Sequence, residues 1–293
     1  MMLDPECVRT LLAVVDEGTL DAAAKALHVT PSAVSQRIKQ LEQRTGRVLL
    51  VRGKPARLTE PGEVVARHGR AQALLDHDTR VALGLLDEPA RIAVAVNADS
   101  LSTWFRRAIA ALAGTDGVVL TVHRDDEGHT ADWLRRGQVI AAVNTDPTVV
   151  QGCRSTPLGS MRYHAAATAS FAARRLSEVD GLAAAPVVAF DEKDRLQDAF
   201  CRARTGKPAS DHRHFVADSH AFEEAVSAGL GWAMLTEHQV RRYPDLVLLA
   251  PDHPVDVPLH WQQWKLDSPT LSAVAAAVTS AARAELHWDP ARA

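Results

Sequence analysis

The segment from Leu20 to Gly46 leaves the chain few alternatives. Thr30 and Pro31 stand together in it, and both favour a helix start. A threonine hydroxyl accepts an orphan backbone N–H, and proline fits the first helical position without losing a bond. From that start Val34, Ile38 and Leu41 recur as one apolar stripe, while Ser32, Ser35, Gln36 and Lys39 recur on another face. One face packs and the other is open to contact. Upstream, Val8, Leu11, Leu12 and Val15 predict a supporting amphipathic helix that Gly18 ends. Thr19 then caps an alanine-rich helix running to about Leu27.

With Thr30 and Pro31 at its head, the polar face of Ser32, Ser35, Gln36, Arg37 and Lys39 suits hydrogen bonding to base edges and phosphates in a DNA major groove. Charge agrees. Between Lys25 and Arg57 eight basic residues face one acid, Glu42, in a chain whose net charge is −3. After Gly46, the run Val48 to Val51, the turn Gly53-Lys54-Pro55 and the run Ala56 to Thr59 predict a small hairpin. Arg52, Lys54 and Arg57 on this wing can reach backbone phosphate.

Residues 4 to 62 resemble the winged helix-turn-helix of LysR-type transcriptional regulators. The resemblance rests on Ala22-Ala23-Ala24, Leu27, Thr30 to Ser35, Ile38, Leu41-Glu42, Gly46, Arg52 and Leu58 to Gly62. Members of that family usually carry phenylalanine two residues before the wing arginine; Leu50 stands here. It implies double-stranded DNA as a partner, RNA polymerase as a second one, and an α/β protein of three parts. These are a winged helix-turn-helix over 1–60, a linker helix over 61–88 and an effector-binding domain over 89–293. The last is expected to have two α/β lobes like those of periplasmic binding proteins, about 89–162 with 266–293, and 163–265.

From Pro61 to Asp87 no internal proline interrupts a helical pattern of Val64, Val65, Ala71, Leu74, Leu75, Val81, Ala82, Leu85 and Leu86. Such a helix extends about 39 Å. A long helix with an apolar stripe suggests pairing with its copy in a second subunit. Similarity to the family implies a homodimer of this kind and a tetramer built as a dimer of dimers.

Beyond Glu88-Pro89 strand-like and helix-like runs alternate, the pattern of a parallel α/β domain. Strands are expected at 91–96, 118–124, 139–143, 162–167, 186–190, 214–217, 231–235, 246–249 and 258–264. Helices are expected near 101–113, 130–136, 195–204, 221–228 and 270–286. Ligands of open α/β sheets bind beyond the carboxyl ends of the strands, and those ends are polar here. Asp99, Ser100 and Ser102 follow the first strand, Asp125 and Glu127 the second, Asn144 and Thr145 the third; Asp194 and Ser219 lie after later strands. A helix N-terminus for a carboxylate, with surplus acids for cations, suits a basic amino acid. Asp125 and Glu127, two residues apart at a strand end, are the candidates for the distal cation.

Asn97 to Phe105, Asp125-Asp126-Glu127 with His129-Thr130, Leu134 to Gly137, Gly229 to Trp232 and Trp261 to Trp264 resemble the lysine- and arginine-responsive branch of the LysR family, the ArgP and LysG proteins. That branch senses L-lysine or L-arginine and activates genes such as a basic amino-acid exporter. Asp125 stands where the branch often has glutamate, and a Ser-x-Glu-x-Phe-like segment reads Ser219-His220-Ala221-Phe222.

Other classes find less support. No Gly-x-Ser-x-Gly elbow, His-Glu-x-x-His helix or phosphate loop is present, so no enzyme is expected. Cys7, Cys153 and Cys201 are isolated, and His212, His214 and His220 gain no cysteine, so neither a metal nor another cofactor is expected beyond the amino-acid effector. The alternative is a DNA-binding regulator or architectural protein with a different effector, another small zwitterion or a metal ion, or with none. No segment has the length of apolar sequence that spans a bilayer, and a cytoplasmic protein without a membrane partner is expected.

Overall fold

The computed structural model describes residues 3–85, 88–114, 117–125, 130–176 and 181–288. Helices α1 (Pro5–Asp16), α2 (Leu20–Ala26) and α3 (Pro31–Thr45) open the chain. The hairpin of β1 (Leu50–Val51) and β2 (Arg57–Leu58) and the long helix α4 (Glu60–Ala82) follow. Next come β3 (Ala90–Asn97), α5 (Ala98–Ser102), α6 (Phe105–Leu112), β4 (Val118–Asp125), α7 (Thr130–Arg135), β5 (Ala141–Asn144) and β6 (Cys153–Thr168). The chain continues through α8 (Ala169–Arg175), α9 (Gly181–Ala184), β7 (Val187–Ala189), α10 (Leu196–Thr205), β8 (Arg213–Phe215) and α11 (Ser219–Ser227). It ends with β9 (Ala233–Thr236), α12 (Glu237–Arg242), β10 (Leu246–Leu248), β11 (Val255–Trp264) and α13 (Pro269–Glu285).

Two compact units share these elements. The first holds Met1–Asn97, Ile109–Thr156 and His260–Val278; the second holds Ala98–Ala108, Pro157–Leu259 and Thr279–Ala293. In the first, β3 runs parallel to β4 and to β5, and β11 lies antiparallel to β5. In the second, β6 pairs antiparallel with β9 and β10, and β7 runs parallel to β8. No helix among the described residues is long and apolar enough to cross a membrane.

Local chemistry explains the N-terminal elements. The Thr30 hydroxyl accepts the Ala33 N–H at 3.2 Å, Pro31 is the first helical residue, and Gly46 ends α3 in the left-handed conformation. Val34, Ile38 and Leu41 are buried, in one core with Val8, Leu11, Ala23 and the wing residues Leu49, Leu50 and Ala56. Leu50, where the family usually has phenylalanine, is thus a packing residue.

Helix α4 stops at Ala82, short of the expected Asp87, because Gly84 adopts φ +67° and Leu85 N–H bonds back to the Arg80 carbonyl. That is the glycine-terminated closure of a helix. Its 23 residues span about 34 Å. It approaches the N-terminal module closely. A Cβ on Gly62 would lie 2.0 Å from the Leu49 carbonyl oxygen, and one on Gly69 would lie 2.3 Å from Val8 Cγ1.

Two other expectations need correction. The single helix at 101–113 is broken into α5 and α6, because the Ser102 and Thr103 hydroxyls both turn back to the Asp99 carbonyl and bend the chain. Helices α8, α9 and α12, of 7, 4 and 6 residues, lie outside the expected helical runs.

Gly62→Ala is expected to destabilise the protein by about 1–3 kcal/mol, since backbone must move to admit the methyl group. Urea unfolding followed by circular dichroism measures this; an unchanged midpoint would show that α4 does not depend on that contact.

Candidate functional site

The first candidate surface is the outer face of α3 with the wing. Thr30, Pro31, Ser32, Gln36 and Lys39 are exposed and Ser35 is half-buried, with Arg52, Lys54 and Arg57 exposed on the hairpin. Arg37 differs from these. Its guanidinium pairs with Glu6 of α1 at 2.8 Å, which ties α3 to α1 as much as it offers charge to a partner. The role of Glu42 was not legible in the sequence. Its carboxylate accepts the Leu49 N–H at 2.9 Å and the Leu50 N–H at 3.4 Å, so the one acid in the basic stretch fastens the wing to α3. The Thr59 hydroxyl secures the other strand: it donates to the Val48 carbonyl at 2.6 Å and accepts the Gly62 N–H.

Each unit, taken by itself, has further candidate residues near the carboxyl ends of its strands. In the first unit Asn97 lies beside Asp125 in the β3–β4 register, and Asn144 ends β5. Asn97 and Asn144 are each 1% exposed, yet the amide atoms of both find no hydrogen-bond partner among the described residues; the Thr130 hydroxyl at the start of α7 is likewise buried and unpartnered. Leaving such groups unpaired costs about 1–3 kcal/mol each, so these side chains suit a polar partner. Asp125 accepts a hydrogen bond from the Trp133 indole, whose ring stacks on His123 at 4.6 Å. Thr145 is half-buried just past β5. Glu127 lies outside the described residues.

In the second unit Asp99 and Ser100 follow Ala98 in the first turn of α5. The Ser100 hydroxyl is buried without a partner among the described residues. Asp99 Oδ2 accepts the Tyr163 hydroxyl at 2.7 Å. Burial raises the Asp99 carboxyl to about 6; the Tyr163 hydrogen bond opposes that rise, and the charges of Asp194 and Glu223 add to it. A carboxylate held so high gains from a cationic partner.

Other expected residues have local tasks. Ser102 donates to the Asp99 carbonyl. Asp194 is occupied by the Phe190 and Leu196 N–H groups and the Gln197 amide, which shape the loop before α10. Ser219 begins α11 behind an Asp218 cap. Gln262, in the Trp261–Trp264 motif, accepts the Val150 N–H and donates to the Thr148 carbonyl, bracing the loop after Asn144. His212 and His214 lie ring to ring at 5.1 Å, whereas His220 faces Glu223.

Comparison with known proteins adds an independent line. A family model described as bacterial regulatory helix-turn-helix protein, lysR family, matches residues 6–63, and a LysR substrate binding domain model matches residues 87–283. The lysine export transcriptional regulatory protein LysG of Corynebacterium glutamicum is 41% identical over 288 residues, covering 96% of this chain and 98% of that protein. The crystal structure of ArgP from Mycobacterium tuberculosis matches with a TM-score of 0.88 at 41% identity, covering 98% of this chain and 99% of that one. Full-length LysG from Corynebacterium glutamicum with the effector Arg bound gives a TM-score of 0.79 at 38% identity, over 97% and 100% of the two chains.

On DNA, Lys54→Ala is expected to weaken binding to every sequence and to reduce the slope of log affinity against log salt by about 1, whereas Gln36→Ala reduces discrimination between sequences. Fluorescence anisotropy on selected and random duplexes separates the two. Equal losses on both duplexes for Gln36→Ala would remove it from base readout.

Proposed function

This chain belongs to the LysR family of bacterial regulatory helix-turn-helix proteins, and on that premise we propose that it senses L-lysine or L-arginine and adjusts transcription, with a basic amino-acid exporter gene as its target. The observation that carries the proposal is Asp99, a carboxylate bonded to Tyr163 and raised to about 6 by burial beside other acids. An ammonium or guanidinium group placed there would restore the charged form through a charge-assisted hydrogen bond. Within the first unit taken by itself, the buried Asn97 and Asn144 amides and the Thr130 hydroxyl lack partners among the described residues, a set of polar groups that also suits an amino acid. Names of the relatives point the same way, one regulating lysine export and one holding Arg as effector.

On the output side, α3 reads base edges while Arg52, Lys54 and Arg57 hold phosphate. Exposed Val64, Leu75 and Val81 on α4 support pairing of two subunits through this helix. A dimer presents two reading helices to a dyad-symmetric site, and a dimer of dimers, working with RNA polymerase in the cytoplasm, completes the proposed assembly. Differential affinity of the amino acid for two arrangements of that assembly supplies the coupling free energy.

A thermal-shift screen of the twenty amino acids tests the effector. Lysine and arginine are expected to raise the unfolding midpoint and the others to leave it unchanged; no response to either would refute the assignment.

The pH dependence tests Asp99. Its folded value is raised, so the protonated carboxyl stabilises the fold fully below the usual carboxylate range, and that contribution is lost as pH rises through about 6. A cationic ligand needs the ionised form. Its affinity is therefore expected to rise between about pH 5 and pH 7, with proton release on binding. Asp99→Asn should flatten the profile and weaken binding about 10-fold or more, read by calorimetry in buffers of different ionisation heat.

A further inference from the structure

Arg70, midway along α4, touches two elements that the function needs to communicate. Its guanidinium donates to the Asp16 carboxylate at the end of α1 and, through Nη1, to the Gly137 carbonyl at 2.8 Å. Gly137 closes α7. It adopts φ +66°, and the Gln138 N–H returns to the Trp133 carbonyl at 2.9 Å, which leaves the Gly137 oxygen facing α4. The approach is backbone to backbone: a Cβ on Gly137 would lie 2.9 Å from Arg67 Cα. The Arg67 guanidinium reaches the Arg135 carbonyl at 3.5 Å, so two cations meet the negative end of α7.

The other side of α7 meets the candidate effector residues. Trp133 donates to Asp125 at the carboxyl end of β4 and stacks on His123. His123 in turn is held below its usual value by burial and by the nearby Arg70 charge. Asp125, α7, α4 and α1 thus form one contiguous set inside the first unit. Helix α1 continues the set to the reading helix through the Glu6–Arg37 pair.

We propose that Arg70 is the positioning residue that transmits effector occupancy to DNA affinity. It pins the C-terminal turn of α7, which follows Asp125, to α1 of the DNA-reading module. The proposal rests on the amino-acid-sensing reading given above. A guanidinium suits this task because its planar fork serves two acceptors on different elements, which a lysine ammonium matches poorly. The ion pair is partly exposed, so losing it costs little stability. Its effect falls on the link between sites.

The test uses the full chain, L-lysine and L-arginine as probes, and an operator duplex selected from a random pool by the wild-type protein. Calorimetry gives amino-acid affinity without DNA; anisotropy gives the ratio of DNA affinities with and without saturating amino acid. The wild-type ratio is expected in the range of about 5- to 150-fold. Arg70→Ala should keep wild-type amino-acid affinity while the ratio falls to about 2-fold or less, with Arg70→Lys in between. A wild-type ratio in Arg70→Ala overturns the proposal. Should that variant fail to fold, Asp16→Asn leaves the Gly137 bond intact and serves instead, and an unchanged ratio there overturns it equally. If neither amino acid binds the wild-type chain, the effector reading fails and the proposal with it. Binding without any change in wild-type DNA affinity refutes the transmission alone.

Discussion

Close backbone approach to α4 is the constraint on which the first unit depends. At Gly62 and Gly69 the helix comes so near to Leu49 and Val8 that a methyl group has no room, and at Arg67 it receives Gly137 of α7 with equal tightness. Glycine has the flexibility that makes it costly in a helix, yet only its lack of a side chain allows these approaches. Helix α4 is therefore the spine against which the DNA-reading module and the end of α7 are both placed. Its exposed residues, Val64, Leu75 and Val81, lie clear of these contacts.

Legibility in the sequence followed the physics of each element. Helix α3 was readable because its cap and its apolar stripe are local signals, and each has its expected role in the structure. The strands at the carboxyl ends of which Asn97, Asp125 and Asn144 sit were readable from their apolar runs and turn residues. Short helices such as α9 carry no period, and the break between α5 and α6 depends on hydroxyl back-bonding that spacing does not reveal.

The candidate site was legible in its residue types and less so in their tasks. Ser102 and Asp194 were expected to face a ligand, but nearby backbone groups claim both side chains. Local hydrogen bonds of this kind compete with any distant partner, and short polar side chains after a strand are those most exposed to such competition. Tyr163 and Trp133, by contrast, escaped notice because each reaches its carboxylate from another element: Tyr163 from β6 to Asp99, and Trp133 from α7 to Asp125. Aromatic residues at buried positions such as Tyr163, or half-buried ones such as Trp133, read as packing until the fold shows where their polar atoms point.

Glu42 fastens the wing strand to the helix that carries Gln36 and Lys39. Where α3 and the wing contact DNA as proposed, this bond couples the spacing of the two surfaces, and a duplex whose steps bend to that spacing at low energy would then bind better even at base pairs that no side chain touches.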